Sequence, residues 1–176
     1  MLANALSMLR IALTPVLIWS LHREGAEGGF SLLSAGTLLT AIATDFLDGI
    51  AARRLGQITR LGKILDPLAD KIAIGGVAVA LVLWRDFPLW LVLLQLGRDL
   101  TIVGGGALLV RSRDVVISAS QAGKLATLCM AFAFCSYVFE ADALIKGGTV
   151  YATGVLLLVS SVGYGRTLIR VLRGTR

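Results

Sequence analysis

Four aspartates lie close together in the segment TDFLDGIAARRLGQITRLGKILDPLADK, residues 44–71. Asp45 and Asp48 are three residues apart, and Asp66 and Asp70 are four apart, so each pair shares one face of a helix. A short hairpin would bring the two pairs opposite each other. Carboxylates without a nearby thiolate or imidazole are the ligands that Mg²⁺ and Mn²⁺ prefer. The pattern therefore indicates a metal site, with two ions expected because paired metals commonly hold both sides of a phosphoryl displacement.

Three neighbouring residues are suited to bind an anion held by such metals. Gly49 directly follows the second aspartate, and its missing side chain lets a nucleotide or phosphate approach the helix backbone. Arg53 lies one turn further on, where its planar guanidinium can donate to a diphosphate. Thr59, in the connecting loop, adds a hydroxyl. Together these residues favour chemistry on a diphosphate.

Two alternatives use the same carboxylates. The acids could pair with Arg53, Arg54 and Lys71 as buried salt bridges, or they could line a proton or cation path, as intramembrane carboxylates do in transporters. A salt-bridge ladder needs neither four acids crowded into one hairpin nor the glycines beside them. We therefore prefer the enzyme, and a small carboxylate-based cation transporter is the rival class.

The segments that carry these residues are apolar enough to lie in a bilayer. Of the 176 residues, 56% are hydrophobic and 16% are charged, whereas charged residues make up about a quarter of soluble domains. Six stretches approach the ~20 apolar residues that a crossing needs: 3–22, 30–52, 62–84, 87–110, 118–139 and 148–169. The sequence predicts an all-α integral membrane bundle of six transmembrane helices, forming one domain over residues 1–176.

The charges predict how these helices are oriented. Arginine and lysine predominate in the second and fourth connections and in the C-terminal segment, whereas the other connections hold at least as many acids as bases. Short basic loops stay in the cytoplasm. We therefore expect a multi-pass protein of the cytoplasmic (inner) membrane, with both termini and the aspartate hairpin on the cytoplasmic side. Membrane lipid is an expected partner of the chain and nucleic acid is not.

The aspartate hairpin resembles the signature of the CDP-alcohol phosphotransferase family, D-x2-D-G-x2-A-R-x8-G-x3-D-x3-D. The motif covers residues 45–70, and the six-span layout is also similar to the family. Every fixed position is present: Asp45, Asp48, Gly49, Ala52, Arg53, Gly62, Asp66 and Asp70.

This resemblance implies CDP-diacylglycerol as the donor of a phosphatidyl group, a hydroxyl of an alcohol as the nucleophile, and CMP as the leaving group. It implies two metal ions, Mg²⁺ or Mn²⁺, and a homodimer. Asp70 would be the catalytic base that takes the proton from the acceptor hydroxyl. The implied metal ligands are Asp45, Asp48, Asp66 and Asp70, and the implied CDP contacts are Gly49, Arg53, Thr59 and Asn4.

Within the family, two stretches look most like the phosphatidylglycerophosphate synthases and the related CDP-dependent cardiolipin synthases. One is Asp66-Pro67 followed by Ala69-Asp70-Lys71, and the other is the opening NALSMLR. The expected acceptor is therefore glycerol 3-phosphate, which would give phosphatidylglycerol phosphate. Phosphatidylglycerol, inositol phosphate and serine are alternative acceptors for the same chemistry.

A phosphate-bearing acceptor needs cations near the metals, and four basic residues are candidates. Arg98 lies inside the fourth span beside Asp99, and Lys124 lies early in the fifth span, while Arg111 and Arg113 occupy the connection between them. An Arg98–Asp99 partnership with neighbouring helices and a snorkelling Lys124 are the structural alternatives. For Arg111 and Arg113 the alternative is a solvated charge.

Overall fold

The protein is all-α over the residues that its computed structural model describes, namely 2–27, 31–55, 62–113 and 121–172. Within these ranges, side chains are described for residues 8–25, 31–44, 71, 73–102, 104, 121–166 and 169. The all-α class is therefore confirmed for this part of the chain. Its six helices are α1 (Leu2–Glu27), α2 (Leu32–Leu55), α3 (Gly62–Trp84), α4 (Leu89–Arg113), α5 (Gln121–Val138) and α6 (Ala143–Leu172).

Several helices run beyond the apolar spans predicted from the sequence. The placement of Arg111 and Arg113 in a connecting loop was wrong, because both belong to the last turn of α4. Hydropathy marks where lipid contact should end, but arginine is a good helix former and does not end a helix. The apolar spans therefore underestimate the length of α1, α2, α4 and α6.

The chain divides into two compact units. The first comprises Met1–Phe87 with Tyr137–Ala141, and in it α1 packs against both α2 and α3. The second comprises Pro88–Ser136 with Asp142–Arg176, and in it α4 packs against α6. The expectation of one domain over residues 1–176 stays a prediction.

An ion-pair network closes one end of the first unit. The Arg85 guanidinium donates to the carboxylates of Glu24, at the end of α1, and of Glu140, in the turn after α5. The Arg85 and Glu24 side chains are buried, whereas Glu140 is 41% exposed. Glu24, Arg85 and Glu140 lie at the first, third and fifth connections, which the charge pattern assigned to one side of the membrane. These connections therefore contribute residues to a single cluster.

The helices bury hydroxyl-bearing residues beside large apolar ones, and they also carry large apolar residues on the outside. Ser34, Thr37 and Thr44 of α2 are buried, and each hydroxyl donates to a carbonyl three or four residues earlier in the chain. Thr153 of α6 does the same at 2.7 Å. Exposed large side chains on every helix include Trp19, Leu39, Val79, Leu83, Leu93, Leu100, Leu128, Phe132, Val155 and Val162. This distribution is typical of helices packed in lipid, where small residues allow close approach.

One helical segment in the described ranges, Ala143–Arg166, is long and apolar enough to cross a membrane by length and composition. Two shorter apolar segments, Leu32–Thr44 and Ala73–Trp84, lie in α2 and α3. The number of helices matches the six predicted spans, and the six crossings themselves stay a prediction.

Candidate active site

The four aspartates lie on two helices of the first unit. Asp45 and Asp48 belong to α2, and Asp66 and Asp70 belong to α3. Their backbone positions are described, and their side chains lie outside the described residues. Both helices pack on α1, so one compact unit carries the whole predicted metal-binding set.

Helix geometry places the α2 pair on the buried face of that helix. A step of eleven residues is about three turns and returns to the same face. Position 45 follows Ser34 by eleven residues, and position 48 follows Thr37 by eleven. Ser34 is 0% exposed and Thr37 is 6% exposed. Positions 45 and 48 therefore continue the inner stripe of α2.

The same step places the α3 pair on an inner face. Val77 follows position 66 by eleven residues, and Leu81 follows position 70 by eleven. Both side chains are buried. Each aspartate pair therefore occupies helix positions in register with buried residues of the same helix.

The predicted CDP-binding residues are placed less uniformly. Gly49 follows the buried Leu38 by eleven residues and so belongs to the inner face of α2, and Arg53 belongs to the last turn of that helix. Asn4 belongs to the first turn of α1 and precedes the exposed Pro15 by eleven residues, which places position 4 on the outer face. Thr59 lies outside the described residues.

Arg98 is a buried arginine at the contact between α4 and α6 of the second unit. Its Nε donates to Ser160 Oγ at 3.3 Å, and its Nη1 lies 3.4 Å from Asp99 Oδ1. The guanidinium carbon is 6.0 Å from the centre of the Tyr164 ring, and Gln95 donates to the other Asp99 oxygen. The partnership with Asp99 and a neighbouring helix is thus observed, and acceptor binding by Arg98 stays a prediction.

The other predicted acceptor-binding residues also belong to the second unit. Lys124 is exposed in the first turn of α5. Arg111 and Arg113 end α4, and their side chains lie outside the described residues. Their role in acceptor binding is therefore untested by the structure.

The aspartate set fits a divalent metal. It offers only carboxylate oxygens, from two pairs that each lie about one turn apart on an inner helix face, and hard cations take such ligands. Among the described side chains, no group of three or more histidines, cysteines, aspartates or glutamates lies together. The metal-site hypothesis therefore rests on positions 45, 48, 66 and 70.

Comparison with known proteins identifies similar chains. The model of the CDP-alcohol phosphatidyltransferase family matches residues 1–163. A Mycobacterium tuberculosis protein named probable phosphatidylglycerophosphate synthase is 32% identical over 99% of this chain and 85% of its own length. An Aquifex aeolicus protein named CDP-diacylglycerol--glycerol-3-phosphate 3-phosphatidyltransferase is 35% identical over 92% of each chain. A Streptomyces coelicolor protein named cardiolipin synthase (CMP-forming) is 37% identical over 74% of this chain and 61% of its own.

Proposed function

The chain belongs to the CDP-alcohol phosphatidyltransferase family, and on this premise we propose that it transfers a phosphatidyl group from CDP-diacylglycerol to glycerol 3-phosphate. The products are phosphatidylglycerol phosphate and CMP, in phospholipid biosynthesis. The observation that carries the proposal is the complete family signature, whose four aspartates belong to α2 and α3. The names of relatives that align over most of this chain support glycerol 3-phosphate as the acceptor.

The proposed reaction is a displacement at the β-phosphorus of the CDP group. The acceptor hydroxyl oxygen bonds to that phosphorus, the bond from the phosphorus to the bridging oxygen breaks, and CMP leaves with the electron pair. Asp70 accepts the hydroxyl proton, which makes the oxygen a better nucleophile. Gly49 admits the diphosphate close to the α2 backbone, and Arg53 donates to its oxygens.

The remaining aspartates have a holding role in this proposal. Asp45, Asp48 and Asp66, with Asp70 beside them, would bind two Mg²⁺ or Mn²⁺ ions. Bound divalent ions neutralise charge on the phosphoryl oxygens and orient the attacking and leaving groups. Four carboxylates brought to one site repel one another, which accounts for their need of cations.

A location in the cytoplasmic membrane, with several crossings, is part of the proposal. The exposed faces of all six described helices carry large apolar side chains, which a water-soluble protein of this size rarely displays as continuous patches. The basic second and fourth connections favour a cytoplasmic active site with both termini on that side. Acyl chains of the donor can then stay in lipid while its headgroup reaches α2 and α3. Homodimerisation rests on the family resemblance alone.

Cardiolipin synthesis is the second candidate, with phosphatidylglycerol as the acceptor. It is favoured by one observation, the 37% identity with the Streptomyces coelicolor protein named cardiolipin synthase (CMP-forming). The chemistry at the phosphorus is unchanged, and only the acceptor pocket differs.

The proposal is tested by CMP release from purified protein in detergent with CDP-diacylglycerol and Mg²⁺. Glycerol 3-phosphate, phosphatidylglycerol, inositol phosphate and serine are compared as acceptors, and EDTA followed by excess Mg²⁺ or Mn²⁺ tests the metal. Turnover with glycerol 3-phosphate alone, lost with EDTA and restored by metal, is the expected result. Turnover only with another acceptor would reassign the pocket. No CMP release with any acceptor would contradict the enzyme and favour a cation transporter.

A further inference from the structure

Arg10 is a buried arginine on the inner face of α1. It is 5% exposed, and it precedes the fully buried Leu21 by eleven residues, about three turns of helix. This face of α1 packs against the two helices that carry the aspartates. A guanidinium remains charged at any physiological pH, so burying it is costly unless an anion compensates. The residues at the same level as Arg10 on α2 and α3 are therefore candidates for the compensating anion.

Two close contacts set the register between α1 and α3. A Cβ atom placed on Gly25 would lie 2.9 Å from Cβ of Trp84. A Cβ atom placed on Gly76 would lie 3.4 Å from Thr14 Cγ2 and 3.3 Å from Ile18 Cδ1. The later residue of α1, Gly25, contacts the later residue of α3, Trp84, so α1 and α3 run parallel. Gly76 is level with the midpoint of Thr14 and Ile18.

Extending this register brings Arg10 level with position 70. Asp70 precedes Gly76 by six residues on α3. On α1, Arg10 precedes position 16, the midpoint of Thr14 and Ile18, by the same six residues. Six residues correspond to about 9 Å on either helix, so the two positions stay level. Position 70 also lies on the inner stripe of α3, eleven residues before Leu81.

The α2 helix brings its own aspartates to the same level. α1 ends at Glu27 and α2 begins at Leu32, so the two packed helices are joined by a short connection and run antiparallel. Arg10 precedes Glu27 by seventeen residues, and Gly49 follows Leu32 by seventeen. Arg10 is therefore level with Gly49 and its neighbour Asp48 on one side, and with position 70 on the other.

We propose that Arg10 is a positioning residue of the phosphatidyl-transfer site, an inference that rests on the proposed function. Its guanidinium offsets part of the negative charge of the aspartates at its level, and it holds the carboxylate of Asp70 in the orientation that accepts the acceptor's proton. The planar guanidinium can hold a carboxylate through two parallel hydrogen bonds, whereas a lysine supplies the charge without that geometry. Substitution should therefore impair the chemical step more than donor binding.

The test compares Arg10→Lys and Arg10→Gln with the matched controls Arg23→Lys and Arg23→Gln. Arg23 is an exposed arginine of the same helix, with its guanidinium 5.3 Å from the centre of the Trp19 ring. For each purified variant, kcat and KM for CDP-diacylglycerol are measured. The change in Tm on adding CDP and Mg²⁺ is measured as well, because it reports ligand binding without turnover.

We expect Arg10→Gln to lower kcat by about 100-fold, a cost that a misplacement of about 1 Å can carry. Arg10→Lys should recover part of that loss because it keeps the charge. KM should change by less than about twofold, since binding common to the ground and transition states is kept. CDP with Mg²⁺ should still raise Tm in both variants, and the Arg23 variants should match the wild type.

Three results would overturn the inference. The first is an unchanged kcat and an unchanged KM in Arg10→Gln. The second is an unchanged kcat with a raised KM, which would make Arg10 a contact of the donor. The third is loss of the Tm response to CDP and Mg²⁺ in the folded Arg10→Lys variant. If Arg10→Gln does not fold, Arg10→Lys decides alone through its kcat and its Tm response. Wild-type turnover with fully active Arg10 variants would refute this inference and leave the proposed function intact. Absence of wild-type turnover would instead refute the proposed function.

Discussion

Replacing Arg85 with methionine tests the ion-pair network at the end of the first unit. The Arg85 and Glu24 side chains are 8% and 7% exposed, so Arg85→Met leaves the Glu24 carboxylate buried without this partner. Removing one member of a buried pair costs about 3–5 kcal/mol. Glu140 is 41% exposed, so solvent screens its pair with Arg85, and Glu140→Gln should cost only about 0.2–1 kcal/mol.

These free energies convert into a measurable difference in Tm. A change of 1 kcal/mol shifts Tm by about 2–4 °C in a chain of this length, which gives roughly 6–20 °C for Arg85→Met and at most about 4 °C for Glu140→Gln. The assay is thermal unfolding of the purified variants in one detergent, followed by tryptophan fluorescence.

A double variant separates the buried charge from the lost contact. Adding Glu24→Gln to Arg85→Met removes the uncompensated carboxylate, so the double variant should be more stable than Arg85→Met alone. Equal Tm shifts for Arg85→Met and Glu140→Gln would refute the assignment of Glu24 as the dominant partner. A double variant as unstable as the sum of its single variants would show that Glu24 and Arg85 do not interact.

Three further predictions concern the site and the packing. Asp70→Asn should abolish CMP release while CDP and Mg²⁺ still raise Tm, since an amide cannot accept the proton, and undiminished activity would remove Asp70 as the base. Gly25→Ala should cost about 1–3 kcal/mol of stability because its Cβ would meet Trp84 Cβ at 2.9 Å. The control Gly36→Ala has open space around it and should gain about 0.5–1 kcal/mol of stability. A lower Tm for Gly36→Ala than for Gly25→Ala would contradict the α1–α3 contact. Arg98→Lys should raise KM for glycerol 3-phosphate if Arg98 binds the acceptor, and should lower Tm without changing KM if it only joins α4 to α6.

The aspartate pairs could be predicted from the sequence because their spacing is a local property. Residues three or four apart share a helix face in any fold, so Asp45 with Asp48 and Asp66 with Asp70 form pairs without tertiary information. The class of metal ligand follows from the side-chain chemistry. The structure adds that Ser34 and Thr37 of α2 and Val77 and Leu81 of α3, in register with the two pairs, are buried, which depends on the neighbours of each helix.

The partners of the arginines could not be predicted from the sequence. Arg85 is followed in the sequence by Asp86, but in the fold it donates to Glu24 and Glu140, which are 61 and 55 residues away in the chain. Arg98 beside Asp99 was anticipated as an alternative, but its contact with Ser160 across 62 residues was not. A long, flexible side chain can reach several acids, and helix packing selects among them.

The sequence by itself therefore determined the helical class, the family signature and the chemistry of the carboxylate set, because these depend on composition and on spacing within one or two helical turns. Only the tertiary structure decided that Arg10 is buried and that it is level with position 70 in the register of α1 and α3. It also decided which acids Arg85 binds. Contacts between helices depend on which faces pack together and at what offset. That choice is a property of the whole packed unit, since small residues such as Gly25 and Gly76 set how closely and at which level two helices meet.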